Sequence, residues 1–372
     1  MSTLPEIQRD SAAGLFQTLS MTSKLKVVAL VSIALVAQLC PVKAQPTNPD
    51  PTVSLISTFK EGEQDGLRFA FSYDGYHWSN VPGLFLRAQV GKDRIMRDPS
   101  IVRGPDGTWH LVWTSAWRGN NGFGYAHSKD LVHWSEQKFI PVMAHEPTVC
   151  NVWAPELLYV DKEKQFIICW ASTIPGRFPD HLEPSTNNHR MYFTTTRDFQ
   201  TFAPTKLFLD PGFSVIDCQI LKTSPRSSGR ESAPTSTEES DGANSRSLPR
   251  ENERSYVLLL KDNTRPERNI RVAFGETPLG PWRDFSAKLT PNFTEGPCGL
   301  KIGEDWLVYY ESYQAGHYSA LKTRDFKSFT DITGQMTFPA GLKHGTAFKA
   351  SRADLERLLS AGASRAEPAT GN

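Results

Sequence analysis

Apolar residues along this chain fall into short runs, roughly four to eight residues long, closed by Gly, Pro, Asn or Asp. "TWHLVWTSA" (108–116), "QFIICWAST" (165–173), "YVLLLKDN" (256–263) and "DWLVYYESY" (305–313) set the type. Runs of that length, bounded by turn formers and rich in β-branched and aromatic residues, predict strands. Helical spacing is convincing only in "SRADLERLLSAG" (351–362), where Leu355, Leu358 and Leu359 share a face behind a Ser351 cap.

A repeat runs through the strands. "FAFSYDGYHW" (69–78), "GYAHSKDLVHW" (124–134), "MYFTTTRDFQTF" (191–202), "IRVAFGETPLGPW" (270–282) and "YSALKTRDFKSF" (318–329) share one plan. Each has a short strand, a Ser/Thr or acidic turn, then an aromatic residue on the returning strand. A second series keeps the same rhythm: "DPSIV" from Asp98, "WAPELLYV" from Trp153, "DCQILK" from Asp217, "EGPCGLKI" from Glu295 and "HGTAFKA" from His344. In both series the longest step contains residues 224–254, a Ser-, Glu- and Arg-rich stretch that reads as a disordered insertion. Without it that step falls to about 50 residues, the size of a four-stranded propeller blade. The hairpin marker comes first, at Trp78, and the strand-start marker last, at His344. A ring therefore closes if the N-terminal strands join the last blade, leaving no bare edge. The expected fold is all-β: a five-bladed β-propeller with four-stranded blades.

Before the propeller, "MTSKLKVVALVSIALVAQLCPVKAQ" runs from Met21 with Lys24 and Lys26 ahead of a 13-residue apolar stretch (Val27 to Leu39) and then a small-residue cleavage site. This is the pattern of a secretory signal, too short for a membrane-spanning helix. Residues 1–44 are thus read as an N-terminal extension and signal, with Met1 and Met21 both open as the start. Residues 45–350 are read as the propeller domain and 351–372 as a helix and tail. The expected location is periplasmic or secreted, without a stable membrane anchor. Cys150, Cys169, Cys218 and Cys298 follow the signal with no CxxC spacing, so zinc and redox chemistry are disfavoured. With 41 basic and 40 acidic residues the chain lacks the electrostatic footprint of a nucleic-acid binder.

Inner strands of a propeller stand side by side around its axis, so the starts of those strands converge at one end of the channel. Asp98, Trp153, Asp217, Glu295 and His344 are the converging set. Three carboxylates sharing one funnel repel one another and lose hydration, which raises the pKa of at least one of them. Such a cluster costs stability and points to function. Glycoside hydrolysis uses this equipment, an acid for the leaving oxygen and a base for the attacking water.

At these residues the chain resembles family 43 glycoside hydrolases, five-bladed propellers that cleave with inversion, over roughly residues 60 to 350. The resemblance implies that Asp98, in "RDPSIV", is the general base. It makes Glu295, in "TEGPCGLKIG", the general acid, and Asp217, in "SVIDCQIL", the residue that tunes and orients that acid. Trp153, in "WAP", would help wall the sugar subsite. His344, in "HG", would lie near the axis, where a hydrated calcium often binds; no cofactor is otherwise required. Within the family the look of the chain is similar to α-L-arabinofuranosidases, with β-xylosidase and exo-galactanase as rivals. A retaining fructosidase-like propeller lacks support because no "NDPNG"-like nucleophile stands near the N-terminus. A non-catalytic sugar-binding propeller is the rival from another class. The expected partner is an oligosaccharide or polysaccharide.

Other residues stay double-edged. Trp113 and Trp117 either shape the pocket or pack the blade. Lys261, Asp262 and Arg268 either bond sugar hydroxyls or form a solvated turn. Glu156 reads as a structural hydrogen-bonding partner, and Cys218 and Cys298 as packing.

Overall fold

The computed structural model describes residues 52–179, 183–184, 186–223 and 255–365. The secretory signal, the 224–254 insertion and the tail after residue 365 lie outside the described residues. The described residues belong to one unit, Pro49–Asn372.

Five sheets make the five blades of a propeller. Blade A holds β1 (Thr52–Thr58), β2 (Gly66–Ser72) and β3 (Ser79–Arg87). Blade B holds β4 (Arg97–Arg103), β5 (Trp109–Thr114), β6 (Phe123–Ser128) and β7 (Lys138–Ile140). Blade C holds β8 (Trp153–Val160), β9 (Gln165–Ser172), β10 (Arg190–Thr196) and β11 (Lys206–Leu209). In blade D, β12 (Val215–Lys222), β13 (Tyr256–Asp262) and β14 (Asn269–Gly275) are full strands, and the fourth is a bridge between Phe274 and Arg283. Blade E holds β15 (Thr294–Ile302), β16 (Asp305–Ser312), β17 (His317–Thr323) and β18 (Thr330–Asp331). The last strand, β19 (Ala347–Ser351), returns to pair antiparallel with β1 as the inner strand of blade A. The inner strands are therefore β19, β4, β8, β12 and β15, and every pair is antiparallel.

The hairpin repeat has a physical cause. In blade A the Ser72 hydroxyl accepts the Gly75 N–H, and Asp74 Oδ1 accepts those of Tyr76 and His77. Ser128 and Asp130 do the same for Leu131, Val132 and His133. Thr196 with Asp198, and Thr323 with Asp325, repeat the arrangement in blades C and E. A short hydroxyl and a carboxylate two residues on satisfy three backbone donors that the turn would otherwise leave unmet. The aromatic residue that follows then folds under: Trp78 and Trp134 each donate an indole N–H to the carbonyl three residues earlier, both at 3.1 Å.

Between blades the core is aromatic and aliphatic. Phe69, Phe348, Trp109 and Trp113 fill the junction of blades A and B, and Phe123, Trp170, Phe166 and Phe199 that of B and C. The ring closes through backbone as well as packing. Ser57 Oγ donates to the Pro99 carbonyl of blade B at 2.5 Å and accepts the Thr346 N–H at 3.0 Å. Gly345 approaches so closely that a Cβ there would lie 1.7 Å from the Ser57 carbonyl oxygen. The four cysteines among the described residues are free thiols, three of them buried.

One helix, α1 (Arg352–Arg365), follows β19 and packs Leu355 and Leu358 against blade A. Ser351 Oγ accepts the Asp354 N–H at 3.0 Å while Asp354 Oδ2 accepts the Ser351 N–H at 3.1 Å. This reciprocal cap satisfies two donors at the helix start. Ser351→Ala is expected to cost about 1 kcal/mol, seen as a fall of roughly 2 °C in Tm. An unchanged melting curve would mean that packing alone starts the helix.

Candidate active site

Four inner strands share one irregularity at their N-terminal ends. Pairing jumps from Arg97 to Ser100 in β4, from Trp153 to Glu156 in β8, from Ile216 to Gln219 in β12, and from Glu295 to Cys298 in β15. Within each bulge one residue takes a positive φ: Asp98 (50°), Ala154 (44°), Asp217 (52°) and Gly296 (58°). Bulges re-aim side chains, and a non-glycine residue held at positive φ is a strained position typical of working sites. The strand-start markers are therefore not strictly equivalent. Asp98 and Asp217 occupy the bulge itself. Trp153 and Glu295 stand one residue earlier, at the position of Arg97 and Ile216, because each bulge inserts a residue that the strand pattern alone does not reveal.

All five inner strands or their leading loops line one small cavity. Its walls include Asp98, Glu156, Asp217, Cys298, His344 and Thr346. About 10 Å³ is open to the centre of a water-sized sphere, room for about one water. Asp98 Oδ2 accepts the Thr114 hydroxyl at 2.8 Å, and Oδ1 lies 3.3 Å from His344 Nδ1. Burial alone would push Asp98 up, but the His344 and Arg97 charges and the Thr114 hydroxyl hold it below the usual carboxylate range. Asp217 Oδ2 accepts the Gly296 N–H at 3.1 Å. For this carboxyl burial prevails, aided by the charges of Glu295 and Asp98, and its pKa is raised. Gly296 cannot be larger, since a Cβ would come within 2.5 Å of the His344 ring.

Glu295 borders this centre and is the most open of the three acids, 26% exposed along its side chain. Its Oε2 accepts the Lys261 ammonium at 2.8 Å. Burial raises its pKa, yet the charge and hydrogen bond of Lys261, with His344 behind, bring the net result below the ordinary range. An acid ready to protonate a leaving group at neutral pH would have its pKa raised; in this arrangement the raised carboxyl is Asp217. Burial disfavours the His344 cation, but Asp217, Asp98 and Glu295 outweigh that and lift it to about 9. Deeper in the channel, Glu156 Oε2 accepts the Thr346 hydroxyl at 3.0 Å, and burial raises its pKa.

The aromatic candidates divide. Trp153 meets Trp117 edge to face at 6.0 Å, donates its indole N–H to the Trp117 carbonyl at 2.8 Å, and stacks on His189 at 5.0 Å. Trp117 is 45% exposed and carries the Arg97 guanidinium over its ring at 4.1 Å. Trp113 does not shape the pocket. It is fully buried at the junction of blades A and B, because β5 is covered on both faces and Trp113 shares the core-facing side with Trp109 and Leu111. Arg268, at positive φ (50°) just before β14, is not among the cavity walls; its charge is felt at His189 beneath Trp153. Asp262 is taken by Arg271 at 2.7 Å, so of the "KDN" residues only Lys261 reaches the acids.

A model described as a probable glycosyl hydrolase domain, related to glycosyl hydrolase family 43, matches residues 52–356. The chain belongs to this family. No curated protein shows a significant match. Among solved structures, a thermostable family-43 glycoside hydrolase is 14% identical at a TM-score of 0.44, with 64% of this chain and 72% of that one covered. An α-L-arabinofuranosidase from Lactobacillus brevis is 16% identical at 0.41, with 64% and 72% covered. An exo-β-1,3-galactanase from Clostridium thermocellum is 13% identical at 0.44, with 64% and 49% covered, so this chain spans about half of it.

In this family-43-related propeller the residues near His344 do not suit the calcium that the resemblance admits. Calcium takes about six to eight oxygen ligands. Here one imidazole nitrogen already faces Asp98, at 3.3 Å. Among the described residues no three His, Cys, Asp or Glu are placed to hold a metal. His344 itself supplies positive charge to the carboxylates.

Several residues of the site escape sequence reasoning. Lys343 pairs closely with Glu311 and stands 3.7 Å from Glu61, which in turn binds Arg97 at 2.7 Å. Glu311 is the register partner of Glu295. A single carboxylate in the otherwise apolar run "LVYYES" was the available signal. Because His344 is lifted above its ordinary value of about 6.5, its contribution to stability is complete below about pH 6.5 and fades as pH rises to about 9. Urea unfolding across that window should show wild type losing stability faster than His344→Gln. Parallel pH slopes would mean the imidazole is not the shared counter-charge.

Proposed function

We propose that this family member is an exported, inverting exo-glycosidase that removes terminal sugars from plant-type glycans, with α-L-arabinofuranoside as the first substrate to test. β-Xylosides and β-galactans are the other substrates in view. Export rests on the residue 21–44 pattern alone. The observation that carries the reading is the meeting of Asp98, Asp217 and Glu295 around His344, with unequal forces on the three carboxyls.

Asp98, ionised by its partners, accepts a proton from water while the water oxygen bonds to the anomeric carbon. The bond from that carbon to the leaving oxygen breaks as Glu295 gives that oxygen its proton. Asp217, fixed by the Gly296 N–H directly after Glu295, sets the direction from which the acid acts. The exposed Trp117 and half-buried Trp153 offer ring surface to a sugar.

The purified protein should release one monosaccharide from a panel of arabinose-, xylose- and galactose-containing oligosaccharides, with the anomer inverted by proton NMR. Asp98→Asn and Glu295→Gln should each lower turnover by about 10²–10⁴-fold. Retention of the anomer would remove the inverting mechanism. Full activity in either variant would remove its assigned role, and silence across the panel would favour a sugar-binding propeller.

A further inference from the structure

Lys261 does not come from the inner ring. It sits on β13, register partner of Ile216, and only 3% of its side chain is exposed. The ammonium is fixed from two sides, by Glu295 Oε2 at 2.8 Å and by the face of Tyr313, 5.1 Å from the ring centroid. Its partner is far more open, with 26% of its side chain exposed. Glu311, the carboxylate opposite Glu295, is already held by Lys343. Glu295 thus has one dedicated cation, and in this pair the carboxylate is the member with room to move.

A carboxylate pinned on an ammonium is a poor proton donor, and the acid step needs a proton there. We propose that Lys261 is a positioning residue that keeps Glu295 ionised in the resting enzyme and releases it when it swings to the glycosidic oxygen of a bound sugar. The inference rests on the reading of Glu295 as the general acid. Away from Lys261, burial dominates, and the carboxylate takes up a proton from solvent water, which it then donates to the leaving oxygen. The buried ammonium left behind keeps the Tyr313 face and the charge of Asp217, so it is not stranded without compensation. The other titrating groups that act on Glu295, or on which it acts, are Asp98 on β4, Asp217 on β12, Glu311 on β16, Tyr318 on β17, and Lys343 and His344 ahead of β19. None of these approaches it as a hydrogen-bonded cation; Lys261 alone does so among the described residues.

The test is a carbon NMR titration of the full chain labelled at the glutamate carboxyl carbons, with the Glu295 signal identified by its loss in Glu295→Gln. In wild type the midpoint should lie below the ordinary value of about 4.3. Lys261→Met should raise it by at least one unit, a tenfold change in proton affinity, and Lys261→Arg should return it toward wild type. A wild-type midpoint at or above the ordinary value overturns the proposal without any variant, so misfolding of Lys261→Met cannot shelter it. In assays of sugar release, the alkaline limb of kcat/KM should move to higher pH in Lys261→Met, because the acid must be protonated to act. The acid limb, governed by Asp98, should stay. A midpoint that moves in a protein that cuts no sugar sinks the glycosidase reading and leaves the Lys261 pairing intact. A midpoint that does not move, beside hydrolysis that needs Glu295, sinks this proposal alone.

Discussion

Burying several carboxylates within one another's field is unfavourable, and the centre of this propeller exists only because cations are buried with them. His344 lies between Asp98 and Asp217 electrostatically, and Lys261 neutralises Glu295. Removing either cation would leave charge uncompensated in a water-poor channel, which costs far more than an exposed ion pair is worth. The surrounding architecture follows from that need. The bulges aim Asp98 and Asp217 inward, Gly296 lets the imidazole approach, and the second strand of blade D delivers the lysine from outside the ring.

Much of this is legible in the amino-acid sequence. The blade rhythm survives in sequence because it is written in turn chemistry: a hydroxyl and an aspartate two residues later must satisfy specific N–H groups, so the letters recur. The acids were visible for the same kind of reason, since Asp and Glu ahead of apolar strands have no ordinary work there. What could not be read was register. A bulge is a relation between two strands, and nothing local distinguishes Trp153, one residue ahead of the bulge, from Asp98, inside it. Trp113 was ambiguous because a strand buried on both faces has no alternation to assign its side chains. Lys261 was ambiguous because a lysine at a strand end reads equally as solvated.

The balance among the acids was legible only in outline. Crowding predicts that at least one carboxyl is raised, and among the three acids this is Asp217, not Glu295. The largest lowering influence on Glu295 is the ammonium of Lys261, contributed by a different blade, with the His344 charge behind it. Electrostatics of this kind depends on ångström distances between remote residues, which no motif encodes.

The closure of the ring has a bearing on how such a protein comes into being. β19 is the last strand made, and the loop that leads into it holds His344, Gly345 and Thr346, tied to Ser57 on the first strand. The seam of the propeller therefore runs through the centre of its chemistry. A chain still emerging from the ribosome, or one with the seam open, has its acids unassembled and its cavity without a wall. Closing the ring and completing the cavity wall are therefore one and the same set of contacts.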